Sequence, residues 1–145
     1  MKPIRLYCAD DNELLADALR EGMNALPDVE WVGWSANAVD LTNRLRETGA
    51  NVLLLDLEMP LVDPIEALAD LSANLPGVHT LVLSGFVDRH LFDRAMEAGA
   101  TGYLSKLAEG QAIIDGVRKV HAGQFVTDIG PWGPQGGHAW PGVQG

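Results

Sequence analysis

Two adjacent carboxylates at Asp10-Asp11, a third at Asp56, a hydroxyl at Ser84 and an amine at Lys106 could do chemistry together. Each closely follows a short apolar run: Ile4 to Ala9, Val52 to Leu55, His79 to Leu83 and Gly102 to Leu104. If these runs are strands of one open parallel sheet, the polar groups collect beyond its carboxyl edge, where such sheets bind ligands at the topological switch point. Two carboxylates ~5 Å apart repel by about 3 kcal/mol at an effective dielectric of 20. A cluster of Asp10, Asp11 and Asp56 therefore asks for a cation. An all-oxygen ligand set with room for water and a phosphoryl group suits Mg²⁺. Lys106 adds fixed positive charge, and Ser84 adds a hydroxyl that can bond a phosphoryl oxygen. A carboxylate can serve as nucleophile, and phosphoryl transfer needs mostly positioning and charge neutralisation. The set therefore suits transfer of a phosphoryl group onto Asp56.

The elements that must position these residues alternate along the chain. Strands are expected over 4–9, 29–34, 52–55, 79–83 and 102–104. The first helix starts from Asp11 or Asn12 as cap and carries Leu14, Leu15, Ala18, Leu19, Gly22 and Met23 at spacings of three and four. The second is expected to start at Asn37 and to carry Val39, Leu41 and Leu45, with Gly49 at its C-terminal end. The third spans Ile65 to Leu75, the fourth Asp88 to Ala98 and the fifth Glu109 to His121. Strict alternation of strand and helix predicts an α/β fold, a parallel sheet with helices on both faces. From Ile129 the chain reads IGPWGPQGGHAWPGVQG, without periodicity. We read residues 1–128 as one domain and 129–145 as a Gly/Pro-rich flexible tail, either incidental or a docking peptide through Trp132 and Trp140.

Charge and composition bound the function. Twenty acidic residues against ten basic ones give a net charge of −10. Affinity for phosphate backbones comes mainly from Lys and Arg, so nucleic acid is a poor direct partner. A protein partner or a cation suits this surface better. Cys8, the sole cysteine, excludes an internal disulfide and fits a reducing compartment; it reads as a small buried hydrophobe. No signal peptide is visible and no run approaches the ~20 apolar residues of a membrane span, so a cytoplasmic location is expected. His79, His90, His121 and His138 show no ligand spacing.

In order at the ends of successive strands, Asp10-Asp11, the DLEMP run from Asp56 to Pro60, Ser84-Gly85 and the run Tyr103 to Lys106 resemble the receiver (CheY-like) domain of bacterial two-component response regulators. The likeness covers residues 4 to about 126. It implies a doubly wound, flavodoxin-like (βα)5 fold with five parallel strands in the order 2-1-3-4-5. It also implies that Asp56 is the phosphoacceptor. Asp10, Asp11, Asp56 and the backbone carbonyl of Glu58 would hold Mg²⁺, and Ser84 and Lys106 would bind the phosphoryl group. Tyr103 would be the aromatic that, with Ser84, reports phosphorylation to the surface. The donor would be a sensor histidine kinase or a phosphotransfer protein, and the output a downstream protein or a homodimer. Such a chain is a signalling switch that assists its own phosphotransfer and dephosphorylation, rather than an enzyme. Residues 99 to 126 resemble receivers that precede a LuxR-type helix-turn-helix, and no such domain follows here. The chain is expected to be a single-domain receiver or a piece of a longer regulator. One departure stands out. Asp63-Pro64 replaces the usual Asp-Gly, which bears on the loop after Asp56. Glu58 and Phe86 occupy the positions that tune water access to the phosphoryl group.

Each residue also has a plainer reading. Asp10-Asp11 could cap the first helix, Asp56 and Ser84 could form turns, Lys106 could be solvated, and Tyr103 could be ordinary packing. Three other functions remain open at this level: a phosphorylation-independent interaction module, a Mg²⁺-dependent phosphohydrolase with an aspartyl intermediate, and the receiver part of a DNA-binding transcriptional regulator.

Overall fold

The computed structural model describes residues 3–85 and 88–128; Phe86 and the 129–145 segment with its two tryptophans lie outside them. Eleven elements alternate in these residues: β1 (Ile4–Ala9), α1 (Glu13–Asn24), β2 (Val29–Ser35), α2 (Leu41–Thr48), β3 (Val52–Asp56), α3 (Pro64–Asn74), β4 (His79–Ser84), α4 (Arg89–Glu97), β5 (Gly102–Ser105), α5 (Gly110–His121) and β6 (Val126–Asp128). The strands form one parallel sheet in the order β2-β1-β3-β4-β5-β6.

The expected five-stranded sheet is thus corrected to six. The sequence Phe125-Val126-Thr127 has strand propensity, but it follows the last helix by only a short Gly-containing turn. What makes it a strand is tertiary: α5 crosses back over the sheet and delivers it beside β5, with Tyr103 opposite Thr127. Gly102 permits the approach, since a Cβ there would stand 3.2 Å from the Val126 carbonyl oxygen and 2.8 Å from Leu81.

Both faces of the sheet are covered, so its strands are apolar throughout rather than alternating. Every residue of β3 is buried. On one face, Tyr7, Leu53, Leu55, Val82 and Tyr103 pack against Leu41 and Leu45 of α2, Leu68 and Leu71 of α3 and Ala95 of α4. On the other, Leu6, Cys8, Leu54, Leu81 and Leu104 meet Ala16, Leu19 and Met23 of α1 and Ile113, Val117 and Val120 of α5.

Side-chain caps set most helix starts. Asn12 accepts the Leu15 N–H at 3.1 Å and starts α1. Asp63 accepts the Ile65 N–H at 2.9 Å, with Pro64 in the first turn of α3, where proline's fixed φ and missing donor cost nothing. Asp88 accepts from His90 and Leu91 at α4. Two expectations fail locally. Asn37 does not cap α2; its Oδ1 closes a turn on the Val39 N–H at 3.0 Å, and the helix starts after Asp40, which has φ +57°. Leu14 is not on the inner stripe of α1 but 83% exposed, and Ala18 and Gly22 also face outward, because the buried line is Ala16, Leu19 and Met23.

Candidate functional site

All strands point the same way, so β1, β3, β4 and β5 end on one edge. The chain leaves β1 for β2 on one side and β3 lies on the other, which makes the β1/β3 boundary the switch point of the sheet. Asp10 follows β1 there and Asp56 ends β3. Carboxylate oxygens of Asp10, Asp11 and Asp56 all lie within 4.8 Å of one another. Asp10 and Asp56 are buried and Asp11 is exposed, a cleft floored by two acids and open beside the third.

Backbone holds the two buried acids still. The Asp10 N–H donates to the Ser35 carbonyl at 3.0 Å, and Asp10 Oδ1 accepts the Asn12 N–H at 2.8 Å. The Trp34 indole N–H donates to the Asp10 carbonyl at 2.9 Å. Asp56 Oδ1 accepts the Glu58 N–H at 2.9 Å, which ties the acid to the loop that follows it.

Asp56 Oδ2 is different: it is buried and has no aligned hydrogen-bond donor among the described residues. Lys106 Nζ lies 3.1 Å from it and 3.2 Å from Asp10 Oδ2, so the ammonium bridges the two acids by charge. The Lys106 N–H donates to the Ser84 carbonyl at 2.9 Å, which registers the lysine against the end of β4. Ser84 is buried one strand from Asp56.

Electrostatics follow from that burial. Desolvation pushes the Asp56 carboxyl up to about 6; the Asp10 charge adds to the shift, while the Glu58 N–H and Lys106 oppose it. Burial works against the Lys106 charge, but Asp56 and Asp10 outweigh it and its pKa lies above the ordinary value. Burial also pushes the Cys8 thiol up, with the Asp10 charge adding, so this thiol is inert packing.

The structure therefore brings together Asp10, Asp11, Asp56 and Lys106, with Ser84 at the same edge. Tyr103 lies apart, wholly buried on the face covered by α4, its ring edge-on to Phe92 with centroids 5.3 Å apart. Pro64, the departure noted in the sequence, is benign. The unusual backbone is at Leu61 (φ +79°), where the Val62 N–H donates to the Pro60 carbonyl at 3.0 Å in a γ-turn, a strained form. Trp34, Phe92, Leu61 and Thr127 escaped sequence reasoning. Trp34 and Phe92 read as apolar periodicity, and nothing local marks a leucine for positive φ.

An oxygen-only acid cleft fits a hard divalent cation: three carboxylates converge, one buried oxygen lacks a directed donor, and among the described residues Lys106 is the cation that balances the two buried acids. An acid cleft and a strand-end lysine thus share the switch point of a doubly wound parallel sheet. The chain belongs to the response regulator receiver domain family, whose model matches residues 6–118.

Relatives agree. The chain is 28% identical over 125 residues to the response regulator protein VraR of Staphylococcus epidermidis, covering 86% of this chain and 60% of that protein. It is 27% identical over 123 residues to the transcriptional regulatory protein LnrK of Bacillus subtilis, covering 85% and 56%. The chain thus spans about 60% of the length of such relatives. The fold matches a LuxR-family two-component response regulator from Aurantimonas at a TM-score of 0.80 and 22% identity, covering 86% of this chain and 89% of that one. It also matches the isolated receiver domain of RcsB from Salmonella enterica, solved with phosphomimetic BeF3⁻, at 0.79 and 20%, covering 88% and 94%. Among the described residues no helix is long and apolar enough to cross a membrane.

Proposed function

We propose that this receiver domain is switched by Mg²⁺-dependent phosphorylation of Asp56. The observation that carries the reading is the Asp56 side chain itself. One oxygen is fixed by the Glu58 N–H, while the other is buried, without an aligned donor, 3.1 Å from Lys106. Asp10, Asp11, Asp56 and the Glu58 carbonyl would hold the Mg²⁺, which supplies charge neutralisation for the carboxylates and the phosphoryl oxygens. The donor is a phosphohistidine of a sensor kinase or phosphotransfer protein. Asp56 Oδ2 attacks its phosphorus, the P–N bond breaks, and the imidazole leaves with a proton as the acyl phosphate forms. Lys106 then faces the transferred group and the Ser84 hydroxyl donates to one of its oxygens. Ser84 and Tyr103 relay the change to a downstream protein or to a second copy of the chain.

The protein acts on itself, so it is a switch rather than a turnover catalyst, and we place it in the cytoplasm. We take residues 1–128 as the receiver domain. A second reading, a receiver that serves a DNA-binding output, is favoured by the greater length of the relatives and by the name of LnrK, a transcriptional regulatory protein.

Acetyl phosphate with Mg²⁺ tests the proposal by intact mass. The wild type gains one phosphoryl group, and EDTA or Asp56→Asn prevents it. Equal labelling of Asp56→Asn contradicts the assignment.

A further inference from the structure

We infer that Trp34 is a positioning residue for the cation site: its indole N–H, brought over the Asp10–Asp11 turn by a bulge in β2, sets the affinity for Mg²⁺. This rests on the Mg²⁺ reading proposed above. The starting observation is the hydrogen bond from Trp34 Nε1–H to the Asp10 carbonyl at 2.9 Å, which ties a side chain of the edge strand to the backbone of a buried acid. The Asp10 N–H meanwhile donates to the Ser35 carbonyl at 3.0 Å. Two successive residues at the end of β2 thus hold Asp10 from both sides.

A β-bulge aims the indole there. Leu6 pairs with Trp31, but the next residue of β1, Tyr7, pairs with Gly33, so Val32 is an extra residue in β2. Side chains alternate between the faces of a sheet, and a one-residue insertion reverses the alternation beyond it. With regular pairing Trp34 would stand opposite Ala9, on the face covered by α2 and α3. With the bulge it stands opposite Cys8, on the face covered by α1, the helix into which the Asp10–Asp11 turn leads. Gly33 makes room for the bulge, since a Cβ there would lie 2.6 Å from Tyr7 Cε2. Burial alone does not explain the placement, because Trp34 stays 37% exposed. Bulges beside functional sites characteristically re-aim a side chain.

The consequence falls on Asp11. The peptide between Asp10 and Asp11 is planar, so the bond to the Asp10 carbonyl fixes the plane from which the Asp11 side chain departs. Asp10 and Asp56 are buried and accept backbone N–H groups, whereas Asp11 is exposed. Its carboxylate lies within 4.8 Å of the two buried ones, and like charges at that range repel. Asp11 is therefore the acid most free to swing away. Holding its peptide keeps it in register with the buried pair, so less order has to be imposed when a cation binds. Groups that orient metal ligands tune affinity in this way.

Titration of the full chain with MgCl2, followed by ¹H–¹⁵N NMR at about pH 8, where a histidine is neutral, tests this. In the wild type the Asp11 amide and the Trp34 indole N–H, assigned by its loss in Trp34→Phe, are expected to shift together with one Kd. Trp34→Phe keeps an aromatic ring without a donor, and should bind Mg²⁺ about five- to tenfold more weakly, with its cation-free spectrum unchanged along β4 and β5. Trp34→His places Nε2–H at the same ring position as the indole N–H, and should regain most of the lost affinity. A Trp34→Phe protein that binds as tightly as the wild type overturns the inference. Equal weakening in the two variants also overturns it, since the ring's packing would then be the cause. So does a wild-type indole N–H that stays fixed while the Asp11 amide moves, a result that needs no substitution. A wild type whose Asp10 and Asp11 amides do not respond to Mg²⁺ instead overturns the cation-site reading on which the inference stands.

Discussion

Asp56 carries opposite demands. The proposed role as nucleophile needs it ionised, yet its burial pushes its pKa from 3.8 to about 6. A raised carboxyl pKa means the folded state binds the proton more tightly than the unfolded chain. Its contribution therefore favours folding below about pH 4 and is lost as pH rises to about 6. At neutral pH the ionised acid costs on the order of 3 kcal/mol by the linkage between pKa and stability. Asp56→Asn is thus expected to melt higher than the wild type at pH 7.5, with the difference closing by about pH 4 in parallel thermal scans. A constant difference across that range would mean the acid is not strained by burial. Lys106 is the second residue under test. It is the cation beside both buried acids, and Lys106→Ala is expected to slow phosphorylation by acetyl phosphate roughly ten- to a hundredfold, the worth of a charge-assisted contact. An unchanged rate would reduce the lysine to a surface charge. These residues were legible in the sequence because each stands at the end of an apolar run. The orientation of the two Asp56 oxygens was not, since that depends on where the chain turns after β3.

At the scale of elements, the loop from Asp56 to α3 joins the site to the rest of the fold. Asp63 caps α3 with one oxygen and meets Arg94 of α4 at 3.2 Å with the other. Both partners of that ion pair are about 40% exposed, so the pair adds little and the cap dominates. Asp63→Ala should cost about 1 kcal/mol in urea unfolding; no loss would show α3 to be held by packing alone. In the same loop Leu61 adopts φ +79° with its side chain 81% exposed. Glycine meets no Cβ clash there, so Leu61→Gly should stabilise by about 1 kcal/mol despite its greater chain entropy, and a loss of stability would refute the strain. Helix existence was legible from periodicity and caps, but boundaries were not. Asn37 and Asp40 are both competent caps by type; the left-handed backbone at Asp40, not side-chain chemistry, decides where α2 starts. The spacing of Leu14 fits two stripes, and only packing against β1 and β2 selects Ala16, Leu19 and Met23.

The molecule as a whole is a sheet armoured on both faces with an acidic cleft on one edge. Its sixth strand is the part least visible in sequence, because Val126–Asp128 is made a strand by its place beside β5 rather than by any pattern of its own. The cleft is the part most visible, because acids at strand ends have few other uses in combination. Binding energy there is linked to folding. Millimolar Mg²⁺ should raise the melting temperature of the wild type, by about 2.7 kcal/mol of stability at a hundredfold excess over Kd, and EDTA should reverse it. Asp10→Ala should lose this response; its persistence would place the cation elsewhere. The central claim is that one carboxylate, and no other, takes the phosphoryl group. Reduction of the acyl phosphate with borohydride after acetyl phosphate treatment converts the acceptor to homoserine, which peptide mass spectrometry locates. Homoserine at position 56 alone is the predicted result, and homoserine at Asp10 or Asp11, or 2-amino-5-hydroxypentanoic acid at Glu58, would contradict it.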